Sequence, residues 1–367
     1  MKIIKSAALT GLLACAAFIQ IAAQQKSASE WSFAVSGDSR NCGDVVMPAI
    51  AAAAAKDHAA FYWHLGDLRA IYGVDEDYQH SPEHRGKTIA KDDYLKDTWD
   101  DFIQNQLGPF GSMPVFVGIG NHETTPPKTR EQFAETFAKW LDAPTLSKQR
   151  LADNPQDTTP KTYFHWIQGG VDFIYLDNAT LDQFSPEQMS WLSGVLDRAS
   201  SNKKVRALVV GMHAALPDSL ASGHSMNDWP TGAQSGYRVY TELLDFKKKT
   251  RKHVYLLASH SHFYMSGIFN SENWKAHGEL PGWIVGTAGA VRYALPPDSL
   301  HAKEARTKVY GFLLGTVRKN GTIDFKFQEV KREDVPAAIT ERYTPEFVHF
   351  CFHKNTAYAE TDAPAQK

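Results

Sequence analysis

Six side chains able to hold a metal ion recur along the chain in a pattern. Asp38 and Asp67 each follow a glycine, Asn121 opens the run Asn121-His122-Glu123 after Gly120, His213 follows Gly211-Met212, and His260 and His262 flank Ser261. Two carboxylates, one amide oxygen and three imidazoles form a donor set suited to iron, zinc or manganese. Six ligands exceed one tetrahedral zinc site. They fit two ions about 3.5–4 Å apart that share a carboxylate. Singly, each residue has a plainer reading. The aspartates could cap helices or form turns, His213 could be a hydrogen-bonded core histidine, and Asn121-His122 could be a turn. The ordered recurrence carries the metal reading, together with the cost of burying such groups unpartnered, about 1–3 kcal/mol each.

The elements that must position these groups are short apolar runs, read as buried strands. Trp31–Val35 leads to Asp38, Phe61–Leu65 to Asp67, Val115–Ile119 to Asn121, Arg206–Val210 to His213, and Val254–Ala258 to His260 and His262. Helices are expected between them, over Asp44–Ala60, Asp92–Leu107, Thr129–Leu141, Ser185–Ala199 and Tyr237–Thr250. Alternating strand and helix predicts an α/β fold with parallel segments. The carboxyl ends of such strands share one edge, where ligands bind, so groups far apart in sequence converge. Hairpins are expected at Gln168-Gly169-Gly170 and at Asn320-Gly321. Ala143–Pro160 reads as loop. Gly73–Lys91 reads as an insertion and Ala214–Ser235 as a long loop, and both are placed to wall a pocket. Tyr72, Tyr78, His224, Trp229 and Tyr237 are the aromatic side chains that could meet a ligand there.

The chain has 367 residues, 43% of them hydrophobic, with a formal charge of −2. No basic excess points to nucleic acid. Lys2 and Lys5 followed by the apolar run Ala7–Ile21 read as a secretory signal peptide cleaved near Ala23. Its loss moves the formal charge from −2 to −4, because residues 1–23 hold two lysines and no acid. Lipid attachment at Cys15 is the lesser alternative. No other segment is long and apolar enough to span a bilayer. The expected organisation is a signal peptide over 1–23, one domain over 24–354 and a flexible tail over 355–367, in a periplasmic or secreted protein. Cys42 and Cys351 could form a disulfide. That large loop would contribute about 4–5 kcal/mol. Two unpaired thiols are the other reading.

The block order Gly-Asp, Gly-Asp, Gly-Asn-His-Glu, strand-end His, His-x-His resembles the calcineurin-like metallophosphoesterase superfamily, which includes the purple acid phosphatases. The likeness runs from about Phe33 to Tyr264. It implies two mixed β-sheets packed as a sandwich, flanked by helices, with a dinuclear centre at the edge. It also implies a metal-dependent phosphoric ester hydrolase acting on phosphomonoesters or phosphodiesters. By this resemblance Asp67 bridges two ions, Asp38 and His262 complete one site, and Asn121, His213 and His260 complete the other. His122 is the acid or transition-state stabiliser, and Glu123 orients ligands from behind. Arg40, Arg69 and Asn121 are candidates to contact substrate phosphate. The pattern departs from the family at two places. Most members carry Asp-x-His where this chain has Arg40, and the purple acid branch carries a Tyr where this chain has Ala70. The first site is therefore short of a protein ligand, which leaves a single-metal or non-catalytic binding protein as the alternative. Arg40 reads either as a planar fork for phosphate oxygens or as a salt-bridged arginine, and Arg69 likewise.

Overall fold

The computed structural model describes residues 30–357, apart from Leu181 and Ser222. The expected signal peptide, Cys15 and residues 358–367 lie outside the described residues. Twelve strands run in chain order: β1 (Trp31–Ser36), β2 (Ala59–His64), β3 (Val115–Val117), β4 (Phe164–Gln168), β5 (Val171–Leu176), β6 (Ala207–Met212), β7 (His253–Ala258), β8 (Tyr264–Ser266), β9 (Gly282–Val285), β10 (Glu304–Arg306), β11 (Tyr310–Val317) and β12 (Ile323–Val330). They form a five-stranded sheet ordered β12-β11-β1-β2-β3 and a seven-stranded sheet ordered β10-β8-β9-β7-β6-β5-β4. In the first sheet β1, β2 and β3 are mutually parallel and β11 and β12 antiparallel. In the second, β5, β6, β7 and β9 are parallel, with antiparallel strands at both edges.

Strand periodicity explains the layering. Successive side chains on a strand point to opposite faces. In β5, Phe173 and Tyr175 face the space between the sheets, whereas Ile174 and Leu176 face the outer helices. In β7, Tyr255 and Leu257 divide from Val254 and Leu256 in the same way. The central parallel strands of this sheet are buried on both faces and so read as unbroken apolar runs. The inter-sheet core is aromatic. Phe33 stacks on Phe61 at 5.3 Å, Phe116 on Trp166 at 3.9 Å, and Phe173 meets Phe33 edge-on at 5.0 Å. Helices Pro186–Ser201 and Pro230–Thr250 cover the second sheet, and Gly43–Lys56, Ala337–Tyr343 and Pro345–His353 cover the first.

Several expectations are corrected. The helix expected over Asp44–Ala60 stops at Lys56, and His58 turns the chain at φ 53° into β2. The stretch expected as loop over Ala143–Pro160 contains a helix, Pro144–Asp153. The segment Thr129–Leu141 is two short helices rather than one. The helix expected from Tyr237 begins at Pro230. Asn355, placed in a flexible tail, is buried, and its side chain donates to Gly289 O at 3.1 Å and Tyr310 Oη at 2.8 Å. Cys42 and Cys351 form a disulfide that joins the turn after β1 to the last helix, across a separation of 309 residues.

Candidate metal centre

The carboxyl ends of β1, β2, β3, β6 and β7 meet along one rim, and their polar residues gather there. Asp38, Asp67 and His260 lie just past strand ends with positive φ, at 59°, 59° and 64°. Left-handed backbone is unfavourable for a residue with a Cβ. Neighbouring loops hold it in place: Asp38 N donates to Gly66 O and Ser39 N to Asp67 O, both at 3.0 Å. Gly120 is required by closeness, since a Cβ there would lie 2.4 Å from both Asp67 N and Asp67 Oδ1.

The ligand-type atoms form two overlapping triads. Asp67, His213 and His260 make one, and Asp38, Asp67 and His262 the other; within each, the atoms lie within 4.8 Å of one another. Asp67 belongs to both. Asn121 joins the first triad, its Oδ1 lying 2.9 Å from His213 Nε2. The same Nε2 is 3.1 Å from His260 Nδ1 and 3.3 Å from Asp67 Oδ1. Backbone carbonyls aim two of the rings: His213 Nδ1 bonds Leu65 O at 3.0 Å, and His262 Nδ1 donates to Val291 O at 2.6 Å. Such anchoring leaves Nε2 as the atom that could ligate a cation. Asp38 Oδ1 and Asp67 Oδ2 are buried without a hydrogen-bond donor. Two buried carboxylate oxygens lacking hydrogen-bond donors, set among imidazole nitrogens and the Asn121 amide oxygen, fit a cation.

Charge is redistributed accordingly. Burial alone would raise Asp67, but His213, His122 and Arg40 hold it well below the usual carboxylate range. Burial likewise opposes the ionised Asp38, and His262 brings it below its ordinary value. His213 is pushed up to about 9, because Asp67 outweighs its burial. Burial and the charge on His213 push His260 down to about 3, and burial with Arg40 pushes His262 down.

The remaining candidates separate. His122 is buried, with its backbone N–H on Asp67 Oδ1 at 3.0 Å and its Nε2 3.8 Å from Asp67 Oδ2. Glu123 lies behind Asp67 and accepts from Asp67 N at 2.9 Å, Leu68 N at 2.9 Å and Gly120 N at 2.7 Å. Burial and the Asp67 charge push it up to about 7. Arg40 reaches the centre. Arg69 does not, which corrects its candidacy for substrate: it is fully buried and paired with Asp44 at 2.6 Å, Asp77 at 2.8 Å and Asp101. Tyr78 is buried too, and Tyr237 is turned to Asp218 at 2.5 Å. Tyr72 stands edge-on to His122 at 5.1 Å and His224 edge-on to His260 at 5.4 Å, so these two flank the rim. Sequence reasoning missed Tyr293, which stacks on His262 at 4.0 Å. It also missed Asn178, whose Oδ1 accepts from His213 N and Ala214 N, both at 3.1 Å. Asn178 follows β5, so the strand-end rule that pointed to the candidate ligands applies to it as well.

No protein-family model matches the sequence, and no curated protein does. Solved structures are similar. A purple acid phosphatase isolated from yellow lupin (Lupinus luteus) seeds is similar over 92% of this chain and 57% of its own, at 16% identity and a TM-score of 0.51. The structure of PhoD is similar over 82% of this chain and 72% of its own, at 15% identity and a TM-score of 0.49. A dimetal phosphatase from Danio rerio is similar over 82% of this chain and 96% of its own, at 11% identity and a TM-score of 0.48. This chain thus spans little more than half of the lupin protein. Two mixed sheets packed face to face, flanked by helices and bearing an Asp/His cluster at the strand ends, give this chain the calcineurin-like metallophosphoesterase fold.

Proposed function

We propose that the chain is an exported, metal-dependent phosphoester hydrolase. The observation that carries this reading is the pair of triads sharing Asp67. Asp67, Asn121, His213 and His260 would hold a transition-metal cation, and Asp38, Asp67 and His262 face a second cationic position. When bound, such a cation lowers the pKa of water and polarises a phosphoryl oxygen. The chain's own residues do the rest. His122, beside Asp67 and edge-on to Tyr72, would hydrogen-bond a phosphoryl oxygen or protonate the leaving oxygen. Glu123 fixes Asp67 through three backbone N–H groups. Arg40 adds positive charge where the trigonal bipyramidal phosphorus accumulates negative charge. The Cys42–Cys351 disulfide supports an oxidising compartment, and among the described residues no helix is long and apolar enough to cross a membrane.

Elemental analysis paired with nitrophenyl phosphate and bis-nitrophenyl phosphate assays tests the reading. Metal-dependent turnover of either ester supports it, and the preferred ester decides between monoester and diester chemistry. Purified protein that hydrolyses neither ester with iron, zinc or manganese is a binding protein on the same scaffold. The contact between Arg40 and His262 is the observation that favours this second reading.

A further inference from the structure

The buried carboxylates face a cation that the chain itself supplies. Arg40 stands two residues after Asp38, on the turn between β1 and the helix Gly43–Lys56. Its guanidinium reaches into the centre as a fork. Nη2 donates to His262 Nε2 at 2.8 Å, Nη1 contacts His122 Nε2, and Asp67 Oδ2 is 3.9 Å from Nη2. A neutral imidazole has one lone pair. His262 donates its Nδ1 proton to Val291 O, so that lone pair is on Nε2. This is the atom His262 would offer to an ion beside Asp38 and Asp67, and Arg40 already holds it. The guanidinium and an ion on His262 are therefore mutually exclusive.

The turn that carries Arg40 is fastened on both sides. Asn41 N donates to Asp75 Oδ1 and Asn41 Nδ2 to Glu76 Oε2, each at 2.7 Å, and Cys42 is in the disulfide. A unit charge about 4 Å from another, at an effective dielectric near 20, lowers the affinity of a competing cation about a thousandfold.

We propose that Arg40 is the second cation of this centre. The chain binds one metal ion tightly, at Asp67, Asn121, His213 and His260, and the guanidinium fills the position bounded by Asp38, Asp67 and His262. The inference rests on the metal-centre part of the proposed function and not on turnover.

The test is metal stoichiometry and affinity by elemental analysis and calorimetric titration, with Mn²⁺ and Zn²⁺ used separately on the full chain. Wild type is expected to hold about one ion per chain. Arg40→Ala and Arg40→His are expected to hold about two, and adding Asp38→Ala to either is expected to return the count to one. Two ions in wild type with affinities within tenfold of each other would overturn the proposal. So would one ion in a folded Arg40→Ala protein. Thermal melting checks folding, and Arg40→Gln, which keeps much of the side-chain volume without the charge, decides if the alanine variant does not fold. One ion with no hydrolysis would sink the functional reading and leave this inference standing. Hydrolysis with two ions in wild type would do the reverse.

Discussion

His122 is 97% shielded from solvent, yet its ring stands against Asp67, Arg40 and Tyr72 rather than in an apolar core. It is not one of the triad ligands. Replacing it with alanine should lower kcat on a nitrophenyl ester by about 10²–10⁴ while leaving bound metal unchanged. Wild-type turnover in His122→Ala would remove it from the chemistry. A second histidine shows what a structural ion pair looks like here. His165 on β4 bonds Asp172 at 2.8 Å through Nδ1 and Asp153 through Nε2. It lines a cleft of about 410 Å³, with Arg150, Trp191 and Arg198, that contains none of the metal-centre residues. The two carboxylates outweigh its burial and push it up to about 9 from an ordinary 6.5. Because the folded value is the higher one, its contribution is fully present below about pH 6.5 and is lost as pH rises through 9. Urea unfolding of wild type against His165→Gln should show a gap of up to about 3 kcal/mol at pH 6. That gap should close by pH 10, and a gap independent of pH would refute the assignment.

At the scale of elements, the rim depends on backbones that touch. Gly120→Ala would drive a Cβ into the Asp67 backbone N and its own carboxylate oxygen, neither of which can move aside. Loss of metal binding together with a drop of several degrees in Tm is the expected outcome, and a variant with normal metal content would show that the rim is looser than described. Those strand ends were also the most legible part of the sequence. β5, β6 and β7 are buried on both faces, so composition announced them, and the polar residues just past β6 and β7, namely His213, His260 and His262, were the informative ones. The triad residues were found that way. Helices were harder to bound. The run Ala51–Ala55 has no periodicity to mark an end, and in Pro144–Asp153 only Leu146 is buried, so polarity masked a helix whose signal was Pro144 at its first turn. The long-loop reading of Ala214–Ser235 hid the first turns of the helix Pro230–Thr250. Gly236 is there for closeness, because a Cβ would meet Pro217 Cδ at 2.4 Å. Partnerships across the fold stayed hidden. Nothing in Gly66-Asp67-Leu68-Arg69 says that Arg69 turns away to Asp44, Asp77 and Asp101, and nothing in Gly37-Asp38-Ser39-Arg40 says that Arg40 meets two imidazoles, because those partners are set by tertiary packing.

For the whole molecule, the centre cross-links both sheets: Asp38, Asp67 and Asn121 follow strands of one, and His213, His260 and His262 follow strands of the other. A bound cation should therefore stabilise the sandwich as a unit. At a hundredfold excess over Kd the gain is about 2.7 kcal/mol, read as a fall in Tm when a chelator is added and its return when metal is restored. An unchanged Tm would mean that the ligands are not held by both sheets. The last helix is tied in separately, by the disulfide from Cys351 to Cys42. The bridge ends two residues from Arg40, so the oxidation history of a preparation becomes an experimental variable. Protein made in a thiol-rich cytosol has the same side chains, but the arm carrying the guanidinium has lost one of its moorings. Batches of identical sequence would then differ in metal count before any substrate is added.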